Sequence, residues 1–518
     1  MNSTNLTWNQ LIANAYPGLP DSQNAAAGES CVTGVEYDSR QVAPGSVFVA
    51  MRGGTTDGNR YIEKALQAGA AGIVTDSADA FDHLAAHHSE VPRLLVKHGR
   101  TALAKLSSTF FGHPEKKLHA TGVTGTNGKT TTAFLIEALL QSANRSSVLV
   151  GTIEYHVAGQ IRPSAHTTPE SRDLFELMAD GVGLGATELV MEVSSHALDQ
   201  GRVAEVGFDV AVFTNLTRDH LDYHQTMGEY FAAKRLLFDG IRYSAPRVSV
   251  LNAGDAHTPE LATAAKRAGS QVVSYGLVPN SDWRAEQIRF TPAGAEFTLA
   301  SPHGIATLQS GLAGQVNVLN LLAALAAAHA RGVNFDHLVK AVPELRPVPG
   351  RFQPVDAGQP FTVIVDYAHT DDALRNLTAL ARQLIAGSET SQQQARVITL
   401  FGCGGDRDRT KRPRMGQAAG EGSDFVVVTS DNPRSEDPEA IIAEILPGIA
   451  ATGVRYLVEP DRASAIALAL AESKPGDVVL IAGKGHENEQ ILRGGTISFD
   501  DTQVALSALR SLGYGGGQ

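Results

Sequence analysis

Thr121-Gly122-Val123-Thr124-Gly125-Thr126-Asn127-Gly128-Lys129-Thr130-Thr131-Thr132 places glycines, a lysine and a run of hydroxyls directly ahead of the apolar stretch Ala133 to Leu140. This is the composition of a phosphate-binding loop between a strand and a helix. Glycines let backbone N–H groups curl around phosphate oxygens, the lysine reaches the β- and γ-phosphates, and the following hydroxyl can ligate Mg²⁺. Lys129 and Thr130 take those two roles here. The strict pattern has a glycine five residues before Gly128; this chain has Val123 there, with Gly122 and Gly125 to either side. A plain Gly-rich turn has no use for Lys129 followed by three threonines. ATP or GTP is the expected ligand.

At 518 residues the chain is too long for one core, and typical domain sizes suggest about three. With 43 Lys and Arg against 55 Asp and Glu, the net charge of −12 disfavours a general grip on nucleic acid, because counterion release needs a basic face. Met1-Asn2-Ser3-Thr4 lacks the basic and apolar segments of a secretion signal, and the apolar helix Val318 to Ala330 is short and carries Asn320 and His329. A soluble protein with no membrane partner is expected. Cys31 and Cys403 are the only cysteines and form no metal or disulfide pattern, which fits a reducing cytoplasm.

The fold class is α/β, in three domains spanning 1–98, 99–349 and 350–518. The first alternates short β-rich pieces such as Ser46 to Ala50 with the helical run Ile62 to Ala68. In the second, Ser147 to Gly151, Glu188 to Val193 and Asp209 to Phe213 are expected strands, and Tyr230 to Phe238 an expected helix. Strands alternating with helices predict a mostly parallel sheet. Turn-separated β segments follow from Arg289 to Leu312, then the helix Val318 to Ala330. After Pro343, Pro347 and Pro349 a second series begins, with strands at Phe361 to Val365, Arg396 to Phe401, Asp424 to Thr429 and Asp477 to Ile481. The last third therefore reads as a Rossmann-like sheet. The Gly515-Gly516-Gly517 tail is expected to be disordered.

Ligands of open parallel sheets sit beyond the carboxyl ends of strands. Glu192 ends one central strand and His220 follows the next, so both should emerge beside the phosphate loop and could complete a magnesium site. His220 and His224 share a helical spacing, but the glutamate of a zinc-binding His-Glu-x-x-His pattern is absent. In the last third, Gly402 to Arg409, Asp431-Asn432-Pro433-Arg434 and Ala482 to Glu487 each follow a strand. Turns use Gly, Asp, Asn and Pro freely, yet they have no need of Arg407, Arg434, Lys484 and Glu487. A pocket for a zwitterionic or dicarboxylic substrate explains that charge pattern better. By pattern alone, Lys234 reads as an ordinary solvated helix residue.

Over nearly its whole length the chain resembles the Mur ligases, which build the peptide of bacterial cell-wall precursors. Gly125-Thr126-Asn127-Gly128-Lys129-Thr130-Thr131, Asn317 with Asn320, Gly350-Arg351 and Asp366-Tyr367-Ala368-His369-Thr370 look like that family's ATP-site motifs. The resemblance implies a small N-terminal α/β uridine-binding domain, a central phosphate-loop parallel-sheet ATPase domain and a C-terminal Rossmann-like domain that binds an amino acid. Tyr37-Asp38-Ser39-Arg40, Thr167-Thr168-Pro169-Glu170, Met191 to His196 and Gly402 to Arg407 are similar to the member that adds a diamino acid to UDP-N-acetylmuramoyl-L-alanyl-D-glutamate in peptidoglycan synthesis. It implies Tyr37, Ser39, Thr167, Thr168, Ser194, Gln200 and Arg202 as contacts of that UDP-dipeptide. For meso-2,6-diaminopimelate it implies Arg407, Asp431, Asn432, Pro433, Arg434, Gly483 and Glu487. Lysine-adding relatives usually lack an arginine at the place of Arg434.

Lys234 matches the lysine that is carbamylated in the family, and as a carbamate it could share Mg²⁺ with Thr130, Glu192 and His220. Lys129, Glu192, His220 and Lys234 are the implied catalytic set. A monomer is expected. Asp371 replaces a frequent proline after Thr370, and Gly54-Thr55-Thr56 differs from the uridine-contacting triplet of some relatives. The alternatives are a lysine-adding ligase, a folylpolyglutamate-synthetase-like ligase, and a nucleotide-gated regulatory protein without catalysis.

Overall fold

Beta-branched runs and helical apolar spacing alternate through most of the chain, and the computed structural model folds them into three sheets of five, eleven and six strands plus a two-stranded hairpin. It describes all residues except 1–5, 20–23, 26–29, 54–55, 292–293, 387–394 and 516–518. Gly54 and Thr55 of the uridine triplet, and most of the glycine tail, therefore lie outside the described residues.

In the N-terminal sheet, Gly34–Glu36, Ser46–Ala50, Gly72–Thr75 and Arg93–Leu95 run parallel, with Asn24–Ala25 antiparallel at one edge. Its core does not stop at residue 98. The helix Gly99–Phe110 brings Ala102, Leu103, Leu106 and Phe110 against Trp8, Leu11, Val47 and Val49. That three-to-four-residue apolar spacing gives the helix one wide buried stripe, so this core reaches twelve residues past the expected boundary.

The central sheet has His119–Thr124 in its interior, between Glu188–Glu192 and Phe208–Phe213, with Ser147–Val150, Val248–Asn252, Gln271–Gly276 and Trp283–Thr291 extending the parallel portion. Each flank is antiparallel: Glu154–Val157 and Gln160–Pro163 at one side, Gly294–Ser301 and Gly304–Ser310 at the other. The apolar helix extends over Gln315–Ala330 and buries Val318, Leu321, Leu322 and Leu325 in the same core as Leu135, Ile136 and Leu139 of the helix Lys129–Ser142. The helix expected at Tyr230 to Phe238 is Met227–Arg235. It starts earlier because the Thr226 hydroxyl caps it, accepting from the Glu229 N–H at 3.2 Å.

The C-terminal sheet runs Gln353–Pro354, Thr362–Asp366, Val478–Ala482, Val397–Phe401, Phe425–Val428, Arg455–Val458 in spatial order, parallel except at the first strand. The four expected strands are present. The edge strand Arg455–Val458 escaped a burial-based reading because all four residues are exposed. Among the described residues, no helix is long and apolar enough to cross a membrane.

Candidate active site

The strand His119–Thr124 ends where the phosphate loop begins, and the loop closes onto the helix Lys129–Ser142. Gly125 (φ +150°) and Gly128 (φ +84°) hold backbone conformations that side chains rarely adopt. A Cβ at Gly125 would lie 1.9 Å from Thr214 Oγ1, and one at Gly128 2.4 Å from Asn320 Oδ1. The backbone N–H groups of Thr126 and Asn127 donate to the Asn215 carbonyl and side-chain oxygen at 2.8 and 2.9 Å. That pins the loop's first half and leaves the helix N-terminus to face the cleft. Lys129 Nζ folds back onto the carbonyls of Gly125 and Thr126 at 3.0 and 2.8 Å. Burial lowers its pKa, and the charges of Glu192 and Asp219 pull the other way.

Glu192 stands at the expected place. Strand register sets it beside Val123, and its carboxylate accepts from Thr130 Oγ1 at 3.0 Å, Thr152 Oγ1 at 3.1 Å and the Thr152 N–H at 2.7 Å. The Thr130 hydroxyl and Glu192 carboxylate are adjoining hard oxygen donors, which suit Mg²⁺. Among the described residues no group of three or more His, Cys, Asp and Glu could hold a metal ion. Two protein oxygens are still a usual complement for Mg²⁺ bound with substrate phosphates.

Lys234 is not solvated. It is 1% exposed, packs 4.4 Å over the Tyr230 ring and donates to the Gly125 carbonyl at 2.8 Å. Burial, reinforced by Lys129, lowers its pKa well below the ordinary lysine value, against the pull of Asp219. His220 adopts a left-handed conformation (φ +54°) ahead of the short helix Leu221–His224. Burial carries its imidazole down to about 3 despite Asp219, so the ring is neutral near pH 7 and free to act as a ligand. His220, Lys234, Glu192, Lys129 and Thr130 line one cavity with Thr167, Thr168, Ser194 and Arg202.

The C-terminal domain closes over this cavity. Arg351 Nη2 donates to Thr130 Oγ1 at 3.1 Å, and its guanidinium lies 4.7 Å from the Tyr367 ring centroid. A second, smaller recess beside the loop is lined by Asn317, Asn320, Asp366 and His369 together with Gly128 and Thr131. Asp366 is held by the Phe352 N–H at 2.7 Å. The Asn317 side-chain amide donates to the Ala313 carbonyl, just ahead of its helix, at 2.8 Å.

Across the interdomain cleft, Arg407, Asp431, Asn432, Arg434, Gly483 and Glu487 line a pocket whose opposite wall carries His196, Asp219, His220 and Asp222. Within Asp431 to Arg434, Pro433 alone is not part of the lining. Arg434, in the left-handed region at φ +53°, donates Nη1 to the Gly405 carbonyl at 2.8 Å. Beneath the pocket the fully buried Lys484 donates to Asn432 Oδ1 at 3.1 Å and Glu487 Oε2 at 2.9 Å. Asn432 Nδ2 in turn donates to Glu487 Oε2 at 2.7 Å. One oxygen of Asp431, Oδ1, is buried without a hydrogen-bond partner.

The residues implied for the UDP-dipeptide divide. Thr167, Thr168, Ser194 and Arg202 join the cavity of the phosphate loop, whereas Tyr37, Ser39 and Gln200 do not line it. Tyr37 OH donates instead to Asp173 of the helix Ser171–Gly183 at 2.8 Å, tying the first domain to the second. Gln200 Oε1 accepts from Arg202 Nη2 at 2.9 Å, so it orients a residue that does line the cavity.

Sequence reasoning passed over Thr152, Thr217, Asp372 and Lys411, the last of which lines the interdomain pocket and donates to the His369 carbonyl at 3.1 Å. Thr152 lies just past the carboxyl end of Ser147–Val150, so the strand-end rule that found Glu192 applies to it equally. Asp372 carries no such mark, because its partners Asn127 and Thr217 belong to another domain.

Comparison with known proteins agrees with this architecture. Family profiles match residues 31–111 (Mur ligase family, catalytic domain), 123–328 (Mur ligase middle domain) and 350–485 (Mur ligase, glutamate ligase domain). UDP-N-acetylmuramoyl-L-alanyl-D-glutamate--2,6-diaminopimelate ligase of Solibacter usitatus is 49% identical over 96% of this chain and 97% of its own length. The enzyme of the same name from Geobacillus kaustophilus is 45% identical over 94% of this chain and 96% of its own. A solved structure of a ligase of that name superposes with a TM-score of 0.69 at 33% identity, covering 99% of this chain and all of the other. A three-domain α/β chain with a variant phosphate loop between an acidic strand end and a buried lysine, matched along nearly its full length, belongs to the Mur ligase family.

Proposed function

We propose that this chain joins meso-2,6-diaminopimelate to the D-glutamyl γ-carboxylate of UDP-N-acetylmuramoyl-L-alanyl-D-glutamate at the expense of ATP, in peptidoglycan precursor synthesis. The observation that carries the reading is the charge pattern of the interdomain pocket. Arg407 and Arg434 stand with Asp431 and Glu487 around one cavity, which complements a substrate end bearing both a carboxylate and an ammonium. Lysine has the ammonium but not the second carboxylate. With lysine the guanidiniums of Arg407 and Arg434 would face no distal carboxylate, so the charge-assisted pairing available to diaminopimelate is lost.

In the first step the γ-carboxylate oxygen forms a bond to the γ-phosphorus of ATP as the bond to the ADP oxygen breaks. In the second the diaminopimelate amine attacks the acyl carbon, phosphate leaves with the bonding pair, and the amine gives up a proton. Lys129 places a positive charge where the phosphoryl oxygens gather charge. Mg²⁺, when bound, neutralises phosphate charge, and Thr130, Glu192, His220 and Lys234 as its carbamate are the residues assigned to hold it. The depressed proton affinity of Lys234 supports that assignment, because only a neutral amine adds CO₂. As an ammonium, Lys234 could not ligate a cation. Thr167, Thr168, Ser194 and Arg202 hold the UDP-dipeptide, with Tyr37, Ser39 and Gln200 assigned to it from the neighbouring surfaces. The nucleotide takes the loop Gly125 to Thr131 with Asn317, Asn320, Arg351, Asp366 and His369. The chain is assigned to the cytoplasm, acting as a monomer.

Purified protein with ATP, Mg²⁺, the UDP-dipeptide and a single amino acid at a time tests this. Phosphate release should depend on all components and be supported by meso-diaminopimelate. Equal support by lysine would favour the lysine-adding alternative, and no substrate-dependent ADP formation would favour a regulatory protein.

A further inference from the structure

Arg462 is among the most deeply buried charges in the chain, and neither the phosphate chemistry nor the substrate contacts use it. It starts the helix Arg462–Ala471, is 1% exposed, and forms an ion pair with Asp501 in which both side chains are fully enclosed. Nε donates to Asp501 Oδ1 at 2.8 Å and Nη2 to Oδ2 at 2.7 Å. The other end of the fork reaches two carbonyls, Nη1 to Ser430 at 3.3 Å and Nη2 to Ala482 at 3.1 Å.

Those two carbonyls are not neighbours in the sheet. Ser430 follows the strand Phe425–Val428, Ala482 ends Val478–Ala482, and Val397–Phe401 lies between them. Arg462 thus bridges two strand ends across an intervening strand. One carbonyl immediately precedes Asp431-Asn432-Pro433-Arg434, and the other immediately precedes Gly483-Lys484-Gly485-His486-Glu487. For stability alone a buried ion pair is a poor choice, since apolar residues of similar volume are commonly as good or better. A planar fork with several donors is suited to holding separate acceptors at a set spacing.

We infer that Arg462, clamped by Asp501, is a positioning residue that sets the separation of the two amino-acid-binding loops and so the enzyme's selection of its amino acid. This rests on the ligase reading above. Arg462 touches no substrate. It fixes the backbone from which Arg434 and Asn432 on one side, and Gly483 and Glu487 on the other, approach the same ligand.

The test uses the full-length enzyme with Arg462→Lys, which keeps the charge but not the fork, and the neutral pair Arg462→Met with Asp501→Leu, which leaves no buried charge unmatched. Both should fold, judged by circular dichroism and thermal melting. In both, KM for meso-diaminopimelate should rise by about tenfold or more, a loss of about 1.4 kcal/mol. KM for ATP and for the UDP-dipeptide should stay within about twofold, and use of lysine relative to diaminopimelate should increase. An unchanged KM for diaminopimelate, an equal rise in all three KM values, or failure of the neutral pair to fold would each overturn the inference by assigning the pair to stability alone. Wild-type enzyme that ignores diaminopimelate would instead overturn the ligase reading.

Discussion

Asp372, in the first turn of the C-terminal helix Asp371–Ala386, accepts a hydrogen bond from the Asn127 side chain of the phosphate loop at 2.8 Å and another from Thr217 Oγ1 at 3.1 Å. One carboxylate thereby joins the C-terminal domain to the loop Gly125 to Thr130 of the central domain. In the proposed reaction the acyl phosphate and the attacking amine meet at this seam, so its geometry would bear on the rate.

Replacing Asp372 with alanine removes two charge-assisted bonds from a partly buried position. Each is worth roughly 1.5–3 kcal/mol at most, and the closed arrangement should become less populated. We expect kcat/KM for the amino acid to fall by about tenfold with the melting temperature nearly unchanged. Steady-state kinetics at saturating ATP provides the check; an unaltered value means the bond is incidental to closure.

Lys234→Ala should abolish turnover, and added bicarbonate should not restore it, because an alanine cannot add CO₂. Wild-type protein equilibrated with ¹³C-bicarbonate should show a carbamate carbon resonance that the variant lacks. A variant with near-normal activity removes the carbamate from the mechanism.

Arg434→Ala should raise KM for meso-diaminopimelate by about 10²-fold, matching the loss of a charged hydrogen bond of roughly 1.5–3 kcal/mol. KM for lysine should change far less, since lysine has no distal carboxylate to lose a partner. Parallel losses for both amino acids contradict the role given to Arg434. Its φ of +53° adds a distinction: Arg434→Gly should relieve backbone strain while still losing the carboxylate contact.

His156 reports on stability away from the site. Burial lowers its pKa, but hydrogen bonds and charge from Glu137 (2.6 Å) and Glu154 (2.9 Å) outweigh it and raise the imidazole from 6.5 to about 9. A folded-state pKa above the unfolded one means the stabilisation is complete below pH 6.5 and fades as the pH rises to about 9. The melting temperature should decline over that window, and His156→Gln should flatten the decline. A wild-type profile as flat as the variant's refutes the assignment.

Much of this was legible in the chain. Strand-then-helix alternation placed the parallel sheets, and the rule that ligands gather at carboxyl strand ends anticipated that Glu192 and His220 would line the cavity of the phosphate loop and Asp431 to Arg434 would follow a strand at the interdomain pocket. That rule is local, needing only the end of an apolar run. It could not separate Lys234 from a solvated lysine, since helix position carries no information on what packs above Tyr230.

The sequence by itself determined the phosphate loop, because glycine's tolerance of positive φ and the adjacent Lys129 and Thr130 are properties of consecutive residues. It also determined the sheet class, through the periodicity of apolar residues. Only the tertiary structure decided how far the first domain's core extends, that Lys234 is buried on the Gly125 carbonyl, that Asp372 meets Asn127, and that Arg462 spans two strand ends. Each of these depends on residues brought together from distant parts of the chain. Burial and the direction in which a pKa moves are set by that enclosure, whereas propensity and spacing act over a few residues at a time.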